Sequence, residues 1–306
     1  MTTGHIPVLV REVVAALQPR PDGLYLDCTV GSGGHAAAIL DAAGPPSRLV
    51  GVDRDPEAIA VARGALERFG DRVRLIRGNF RELPVLVSTL HLGRFDGVLF
   101  DLGVSSLQLA DPGRGFSFSM EGSLDMRMDR HGGGLTARAL LHALPEERLA
   151  RIIREYGEER WARQIARAIA RARDHGSLET TQELATVISR AIPRRLWPRR
   201  IHPATRTFQA IRIAVNQELE GLEEALEAAI DLLKIGGRIC VIAFHSLEDR
   251  VVKHLFRRLA APGAVPRVRI LTRRPVTPSA GETGVNPRAR SAKLRAVERR
   301  EEQDGP

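Results

Sequence analysis

The stretch from Leu24 to Asp53, LYLDCTVGSGGHAAAILDAAGPPSRLVGVD, decides the fold of this chain. A short apolar run ends at Asp27 and is followed by three closely spaced glycines, Gly31, Gly33 and Gly34. An alanine-rich helical segment and a second apolar run then lead to the closing aspartate. A strand, a glycine turn, a helix and a strand with a terminal acid form the opening half of a nucleotide-binding α/β fold.

Strands and helices continue to alternate as far as residue 103. Asp55 and Pro56 predict a helix start, with the aspartate as N-cap and the proline at the first helical position. A third strand is predicted at Val73–Arg77. A fourth, in FDGVLFDLG, is a continuous apolar run that ends on Asp101, as expected of a buried parallel strand.

The alternation stops after Gly103. Residues 104–134 are rich in Gly, Ser and Met and have no clear period, which is typical of a functional or mobile loop. From Thr136 to Ile192 the pattern is purely helical, and Thr180 with Glu183 forms a capping-box signature.

The sheet pattern then returns, with strands predicted at Arg238–Phe244, Val268–Thr272 and Lys293–Val297. We therefore predict a discontinuous α/β domain over residues 1–104 and 206–306. A loop and an all-helical domain over residues 105–205 interrupt it, and we expect that insertion to recognise the substrate.

The composition favours a polyanionic partner, because the formal net charge is +9. Only three residues are lysines, so the excess is nearly all arginine, and a coding bias toward Arg, Ala and Gly is the alternative explanation. No apolar run approaches the roughly 18 residues of a membrane span, and the first residues lack the layout of a signal peptide. These features predict a cytoplasmic protein without a membrane partner.

The two cysteines, Cys28 and Cys240, both fall in apolar runs that are typical of buried strands. Two buried thiols are therefore expected in place of a disulfide. No Cys/His cluster has metal-ligand spacing, so no metal site is predicted.

The order of acid and glycines indicates which nucleotide binds. A dinucleotide fingerprint needs G-x-G-x-x-G to hold a pyrophosphate, whereas here Asp27 precedes the first glycine by four residues. An acid at that position suits an ammonium group, and S-adenosylmethionine carries an ammonium, a sulfonium and no phosphate. Asp53 is placed to accept both ribose hydroxyls, a role that NAD sites share. An ordinary glycine turn and a capping role for Asp53 remain the alternatives.

Phe80 and Asp101 follow the third and fourth strands. Phe80 lies where an adenine could stack, although a place in the core is the alternative. Methyltransferases that act on exocyclic amines carry hydrogen-bond acceptors at the end of the fourth strand, and Asp101 could direct the weakly nucleophilic amine of cytosine. It could also only hold the cofactor or a loop. Methylation at carbon five needs a cysteine nucleophile, and neither cysteine is expected on a substrate-facing loop.

The sequence is similar to the bacterial ribosomal RNA small subunit methyltransferase H family, also called MraW. The resemblance runs in order over nearly the whole chain and is carried by the segments GHIPVL, LDCTVGSGGH, GVDRDPEA, GNF, FDGVLFDLGVSSLQLADPGRGFSF, LDMRMD, EYGEERWARQIARAI, HPATRTFQAIRIAVNQEL, GGRICVIAFHSLEDRVVK and NPRARSAKLRAVER. It implies a Rossmann-like S-adenosylmethionine-dependent methyltransferase sheet with an inserted all-helical domain. It also implies methylation of a cytidine N4 amine in the decoding region of 16S ribosomal RNA, within the small ribosomal subunit or its late assembly form.

The resemblance also implies a set of site residues. The family's S-adenosylmethionine contacts fall on Gly33, Gly34, His35, Asp53, Phe80, Asp101 and Gln108. Asp101 is in addition the expected catalytic residue. His35, at the start of a helix, could donate a backbone or ring N–H to the methionine carboxylate.

The loop that would hold the target base departs from the wider amino-methyltransferase pattern. Leu102-Gly103-Val104 stands where Pro-Pro-aromatic is usual, so the loop does not show which side chain stacks the cytosine. Phe116 and Phe118 are possible stacking residues, and packing onto the helical insertion is the alternative for both.

Two arginine-rich segments could contact RNA or could be solvated or structural. The first surrounds Trp197 and His202, and the second lies near the end of the chain; their arginines are Arg194, Arg195, Arg199, Arg200, Arg206, Arg288, Arg290 and Arg295.

Three other functions compete with RNA methylation. A DNA amino-methyltransferase would share the chemistry, but no target-recognition domain is recognisable. An RNA-binding assembly factor without catalysis would be expected to lack Asp53 or Asp101, and both are present. A dehydrogenase is disfavoured by the glycine spacing.

Overall fold

The structure is a computed structural model that describes residues 7–176, 178–261 and 266–301. The first three residues of the segment GHIPVL, residues 4–6, therefore lie outside the described part of the chain. Among the described residues, no helix is both long and apolar enough to cross a membrane.

The described residues form one sheet of seven strands. They are β1 (Leu24–Asp27), β2 (Arg48–Asp53), β3 (Val73–Arg77), β4 (Phe95–Asp101), β5 (Leu233–Ala243), β6 (Val268–Ile270) and β7 (Lys293–Arg299). Their order across the sheet is β3-β2-β1-β4-β5-β7-β6. The first five strands in this order pair in parallel, and β7 pairs antiparallel with both β5 and β6.

Thirteen α-helices are described. They are α1 (Val10–Leu17), α2 (Gly34–Ala43), α3 (Pro56–Leu66), α4 (Leu83–Ser88), α5 (Ser106–Ala110), α6 (Ala137–Ala143), α7 (Glu146–Gly157), α8 (Ala162–Asp174), α9 (Thr181–Ala191), α10 (Thr205–Asn216), α11 (Leu222–Asp231), α12 (Ser246–Leu259) and α13 (Ala280–Val285). With the sheet, they confirm the predicted fold class, a Rossmann-like methyltransferase sheet whose chain is interrupted by a helical insertion.

The chain divides into two compact units, and the sheet unit comprises Met1–Gly103 and Leu219–Pro306. Side chains of β1 alternate between its two faces, because Leu26 joins the core under α4, α11 and α12 while Tyr25 joins the core under α1, α2 and α3. A sheet covered on both faces needs apolar residues at successive positions, which explains the continuous apolar runs in the sequence. Cys28 and Cys240 are free and buried in this unit, as predicted.

The carboxyl ends of the parallel strands place four sequence features at one edge of the sheet. β1 ends at Asp27, β2 at Asp53 and β4 at Asp101, and the segment after β3 contains Phe80. In open α/β sheets, ligands bind outside this edge.

The helical unit is Val104–Glu218, so the predicted boundary after residue 205 lies one helix too early. Helix α10 belongs to this unit because it packs closely on α7: a Cβ atom on Gly157 would come within 2.7 Å of the Arg206 carbonyl oxygen and 3.3 Å of Ala210 Cβ. Pro193, Pro198 and Pro203 precede α10 and favour a return to the sheet at this point of the chain, although the apolar face of α10 completes the core of the insertion.

Residues 104–134, predicted as a loop without regular structure, include the short helix α5. Its start is a capping box formed by Ser105 and Gln108. The capping box predicted at Thr180 and Glu183 is present at the start of α9.

Candidate active site

The glycine turn after β1 shapes the start of α2. Gly33 is the N-cap of that helix and has a φ of 88°, in the left-handed region that a side chain would strain. Gly34 allows the N-terminal segment to come close, since a Cβ atom there would lie 2.8 Å from Pro7 Cγ. The first backbone N–H groups of a helix have no acceptor within the helix and favour a negatively charged group.

Asp53, at the end of β2, holds the glycine turn. Its Oδ2 accepts a hydrogen bond from the Gly31 backbone N–H at 2.9 Å, and its Oδ1 accepts one from the Asp55 N–H at 2.9 Å. Burial raises the pKa of this carboxyl to about 6. Each carboxylate oxygen has a second lone pair, so Asp53 can still accept hydrogen bonds from hydroxyl groups.

Asp27 is the most buried acid at this edge, with 1% of its surface exposed. Its Oδ1 accepts a hydrogen bond from the Thr29 N–H at 3.1 Å, while its Oδ2 has no hydrogen-bond partner among the described residues. Burial raises the pKa of Asp27 to about 7. The place of Asp27 in the glycine motif indicates this acid, and the structure adds it to the predicted site residues.

Asp101 ends β4 beside the glycine turn. Its backbone N–H donates to Thr29 Oγ1 at 2.6 Å, which ties the end of β4 to the segment after β1. Its Oδ1 has no hydrogen-bond partner among the described residues, and 23% of the side chain is exposed. Desolvation, reinforced by the nearby Glu248, raises the pKa of Asp101 to about 7.

His35 lies in the first turn of α2 with only 6% of its surface exposed. Its Nε2 is 2.8 Å from the Val8 carbonyl oxygen, and its Nδ1 is 3.4 Å from Asp101 Oδ2. Burial lowers the pKa of the imidazole. The single N–H of the neutral ring is therefore used on Val8, which leaves the backbone N–H as the group that could meet a ligand carboxylate.

Phe80 is half-buried at the start of the short helical turn after β3. Its ring packs edge-on against Phe100, with ring centroids 5.8 Å apart. This contact holds the aromatic ring at the same sheet edge as the three aspartates.

Gln108 lies in the helical unit. The side-chain Oε1 accepts a hydrogen bond from the Ser105 N–H at 3.0 Å as part of the capping box of α5. This local role accounts for its burial, and a cofactor contact of Gln108 stays a prediction.

The two phenylalanines proposed to stack the target base have different environments. Phe116 is buried in the core of the helical unit, as its packing interpretation predicts. Phe118 is half-buried and contacts His202 and Phe208, with ring centroids 4.7 Å apart in both cases.

A cleft of about 590 Å³ lies within the helical unit, beside α9 and the segment that follows it. Aromatic and arginine side chains share its wall with small polar residues. The lining residues are Phe118, Gln182, Ala185, Thr186, Ser189, Arg190, Ile192, Pro193, Arg194, Trp197 and His202. Trp197 donates its indole N–H to the Ile192 carbonyl oxygen at 3.0 Å, so the ring is held in place.

The residues at the sheet edge suit S-adenosylmethionine. Asp27 and Asp101 each keep one buried carboxylate oxygen that has no partner among the described residues, and such an atom favours a cationic or N–H-donating ligand. A pyrophosphate would add negative charge beside three carboxyls whose pKa values are already raised. The start of α2 offers backbone N–H groups for a carboxylate.

Comparisons with known proteins show which family this chain resembles. A model of the MraW methylase family matches residues 2–300. Ribosomal RNA small subunit methyltransferase H of Pelobacter propionicus is 54% identical over 308 residues, covering 96% of this chain and 98% of that protein. The protein of the same name from Geobacter sulfurreducens is 53% identical and covers 98% of this chain and 100% of its own. Among solved structures, an rRNA methylase from Streptococcus thermophilus aligns with a TM-score of 0.42 at 11% identity, covering 98% of this chain and 99% of that one.

Proposed function

This chain belongs to the MraW methylase family, and we propose that it transfers a methyl group from S-adenosylmethionine to the exocyclic N4 amine of a cytidine in 16S ribosomal RNA. The target nucleotide would lie in the decoding region, with the small ribosomal subunit or its late assembly form as the substrate. Its similarity to ribosomal RNA small subunit methyltransferase H supports the choice of RNA.

The sheet edge supports binding of the methyl donor, which supplies an electrophilic methyl group on a sulfonium sulfur. Backbone N–H groups at Gly34 and His35 would receive the carboxylate of its methionine part. Gly33 would shape the turn beside it, because its own N–H donates to the Val30 carbonyl oxygen at 2.8 Å. Asp53 would accept the ribose hydroxyls, and the ring of Phe80 would lie against the adenine. The unpartnered oxygen of Asp27 would accept an N–H of the ammonium group.

The single observation that carries the reaction type is the free Oδ1 of Asp101 at the end of β4. The amine of cytosine is a poor nucleophile because its lone pair is delocalised into the ring. A carboxylate that accepts a hydrogen bond from the amine N–H localises that lone pair as the nitrogen attacks. Asp101 has a buried acceptor oxygen without a partner among the described residues, and 23% of its side chain is exposed, so a substrate amine would approach the carboxyl group from that exposed side.

The cysteines argue against methylation at carbon. A covalent adduct at carbon six of a pyrimidine needs a thiolate that reaches the base. Cys28 and Cys240 are both buried. Burial raises the pKa of Cys28 well above its ordinary value and that of Cys240 to about 12, so neither is a ready nucleophile. The cysteines therefore favour direct transfer to nitrogen or oxygen, and the acceptor at Asp101 favours nitrogen.

The helical unit supports an RNA substrate. Residues 104–218 contain 19 arginines, no lysine and 13 acidic residues, a net +6 of the +9 on the whole chain. Within this unit, the cleft between Phe118, Trp197 and Arg194 combines aromatic faces with positive charge. Splayed bases of single-stranded RNA stack on aromatic rings while arginines contact the phosphates.

Methyl transfer to defined substrates tests the proposal. The purified chain would be incubated with radiolabelled S-adenosylmethionine and small ribosomal subunits from a strain that lacks the modification, with naked 16S RNA and duplex DNA as parallel substrates. Nucleoside analysis by mass spectrometry should then identify N4-methylcytidine from the subunits. Product at carbon five or on a ribose oxygen would refute the mechanism, and transfer to duplex DNA alone would refute the substrate.

A further inference from the structure

The ring of His35 is held in one orientation by a buried contact. Its Nε2 lies 2.8 Å from the Val8 carbonyl oxygen, and a carbonyl oxygen can only accept a hydrogen bond. The proton of the neutral ring must therefore be on Nε2. Because burial lowers the pKa of His35, the neutral ring is the favoured form, and its Nδ1 carries a lone pair.

That lone pair faces a carboxylate oxygen. His35 Nδ1 is 3.4 Å from Asp101 Oδ2. When Asp101 is ionised, both atoms are acceptors and repel each other. When Asp101 is protonated, its O–H can donate to Nδ1, so the pair is stabilised by taking up one proton.

We propose that His35 and Asp101 act together as the proton acceptor of the methylation reaction, with Asp101 touching the substrate amine and His35 acting through Asp101 as a positioning residue. This inference rests on the proposed function. It assigns two tasks to Asp101: Oδ2 faces the imidazole, and the partly exposed carboxyl group, whose Oδ1 is buried without a partner among the described residues, accepts the proton of the amine.

The proton balance of the step follows from these tasks. The lone pair of the amine nitrogen forms a bond to the methyl carbon, the carbon–sulfur bond breaks with its electron pair on sulfur, and the nitrogen becomes positively charged. One N–H bond of the nitrogen then breaks, its electron pair stays on nitrogen, and the proton moves to the Asp101 carboxylate. The proton ends on Oδ2, directly or after a half-turn of the carboxyl group about its Cβ–Cγ bond, and the neutral carboxyl group donates that O–H to His35 Nδ1. A cationic nitrogen and a carboxylate thus become two neutral groups.

The acidic groups around His35 and Asp101 all raise the pKa values of these two residues. Asp27 on β1 and Glu282 on α13 raise the pKa of His35, although burial outweighs them. Desolvation is the main reason why the pKa of Asp101 is raised, and Glu248 on α12 raises it further. All three neighbours are acids, so they favour retention of a proton within the pair.

Two substitutions of His35 separate its two nitrogens. His35→Gln can keep an N–H donor near the position of Nε2, on Val8, but it removes the acceptor that faces Asp101. His35→Asn places an amide oxygen near the position of Nδ1 and gives up the contact with Val8. His35→Asn therefore keeps the acceptor that the proposed role requires. His35→Gln keeps only the contact with Val8, which would be sufficient if the role of His35 were purely structural.

Nuclear magnetic resonance of the cofactor-free chain gives a readout that does not depend on activity. Nitrogen-15 spectra, with His35 assigned through His35→Gln, should show a neutral ring protonated on Nε2 at pH 8. A carbon-13 carboxyl titration, assigned with Asp101→Asn, should show that His35→Gln lowers the pKa of Asp101 and that His35→Asn largely restores it. A ring protonated on Nδ1, or a pKa of Asp101 that rises or stays unchanged in His35→Gln, would overturn the proposal.

Kinetics complete the test with small subunits as substrate. In His35→Gln, kcat should fall about tenfold, and the acidic limb of its pH profile should move to lower pH. His35→Asn should recover most of this loss. If the nitrogen and carboxyl titrations behave as expected but no methylated cytidine forms, the proposed function fails while the proton-sharing pair stands. If methylation proceeds normally in His35→Gln, only the inference about the pair fails.

Discussion

The Gly31 backbone N–H donates a 2.9 Å hydrogen bond to Asp53 Oδ2, so the acid at the end of β2 holds the glycine turn that follows β1. The two parts of the opening sequence motif are therefore joined directly in the folded chain. One carboxylate both orders the turn and remains able to accept hydroxyl groups. A substitution of Asp53 should affect the binding of the methyl donor before it affects the chemistry.

Asp53→Ala should weaken binding of S-adenosylmethionine by about 10- to 100-fold, because it removes charge-assisted hydrogen bonds worth about 1.5–3 kcal/mol. Titration calorimetry on the cofactor measures this change. Turnover at saturating cofactor should stay within about threefold of the original. Asp41→Ala is the matched control, since Asp41 is 52% exposed and pairs with Arg68 in the same unit. Unchanged affinity in Asp53→Ala would contradict the assignment.

Asp27→Asn should stabilise the cofactor-free sheet unit at pH 8. Burial raises the pKa of Asp27 from its ordinary value of 3.8 to about 7 in the folded chain. Between these two pH values the native state binds more protons than the unfolded state. The free energy of unfolding therefore falls as the pH rises from about 4 to about 7. Removing the carboxylate should therefore raise the free energy of unfolding by about 1–3 kcal/mol at pH 8 and by little at pH 4.

Hydrogen exchange of peptides that span β1 and β4 measures this effect, because both tryptophans, Trp161 and Trp197, belong to the helical unit and would report on that unit by fluorescence. The same substitution should weaken binding of S-adenosylmethionine. Equal protection from hydrogen exchange in the original protein and in Asp27→Asn at pH 8 would show that burial does not destabilise the ionised carboxylate of Asp27.

The local elements were predictable because their causes are local. The strand β2 ends where a continuous apolar run ends, and α3 begins at Pro56 because the Asp55 side chain accepts a hydrogen bond from the Glu57 N–H. The fold class follows from such signals repeated along the chain.

The remaining features depend on contacts between distant residues. The N–H of the His35 ring is used on Val8, 27 residues away, which no spacing rule indicates. Likewise α10 follows three prolines and resembles the return to the sheet, yet the close approach at Gly157 assigns it to the helical unit. Asp27 was visible as an acid before the glycines, but only its unpartnered Oδ2 gives it a place in the site.

Asp101→Asn should lower kcat at saturating S-adenosylmethionine by about 100-fold or more, because the amide cannot take up the proton of the methylated amine. Affinity for the cofactor should change by less than about fivefold. Single-turnover methylation of small subunits, combined with calorimetry, separates the two quantities. A loss of affinity with unchanged turnover would remove Asp101 from the catalytic role and leave it as a cofactor contact.

The cleft of the helical unit should contribute to RNA binding through Trp197 and Arg194. Trp197→Leu should weaken binding of the RNA substrate by roughly 5- to 100-fold, because stacking of a base on an aromatic ring is worth about 1–3 kcal/mol. Trp197→Phe keeps an aromatic face and should lose much less. Arg194→Gln should reduce the slope of log affinity against log salt by about 0.7, as expected for one lost phosphate contact with single-stranded RNA.

The matched control for Arg194 is Arg167→Gln, because Arg167 lies on α8, pairs with Glu146 and is 62% exposed without lining the cleft. Filter binding over a range of salt concentrations measures all four variants, and each should bind S-adenosylmethionine normally. An equal salt slope in Arg194→Gln and Arg167→Gln would mean that the positive charge of this unit attracts RNA diffusely. Loss of RNA affinity in Trp197→Leu alone would instead restrict the role of the cleft to base stacking.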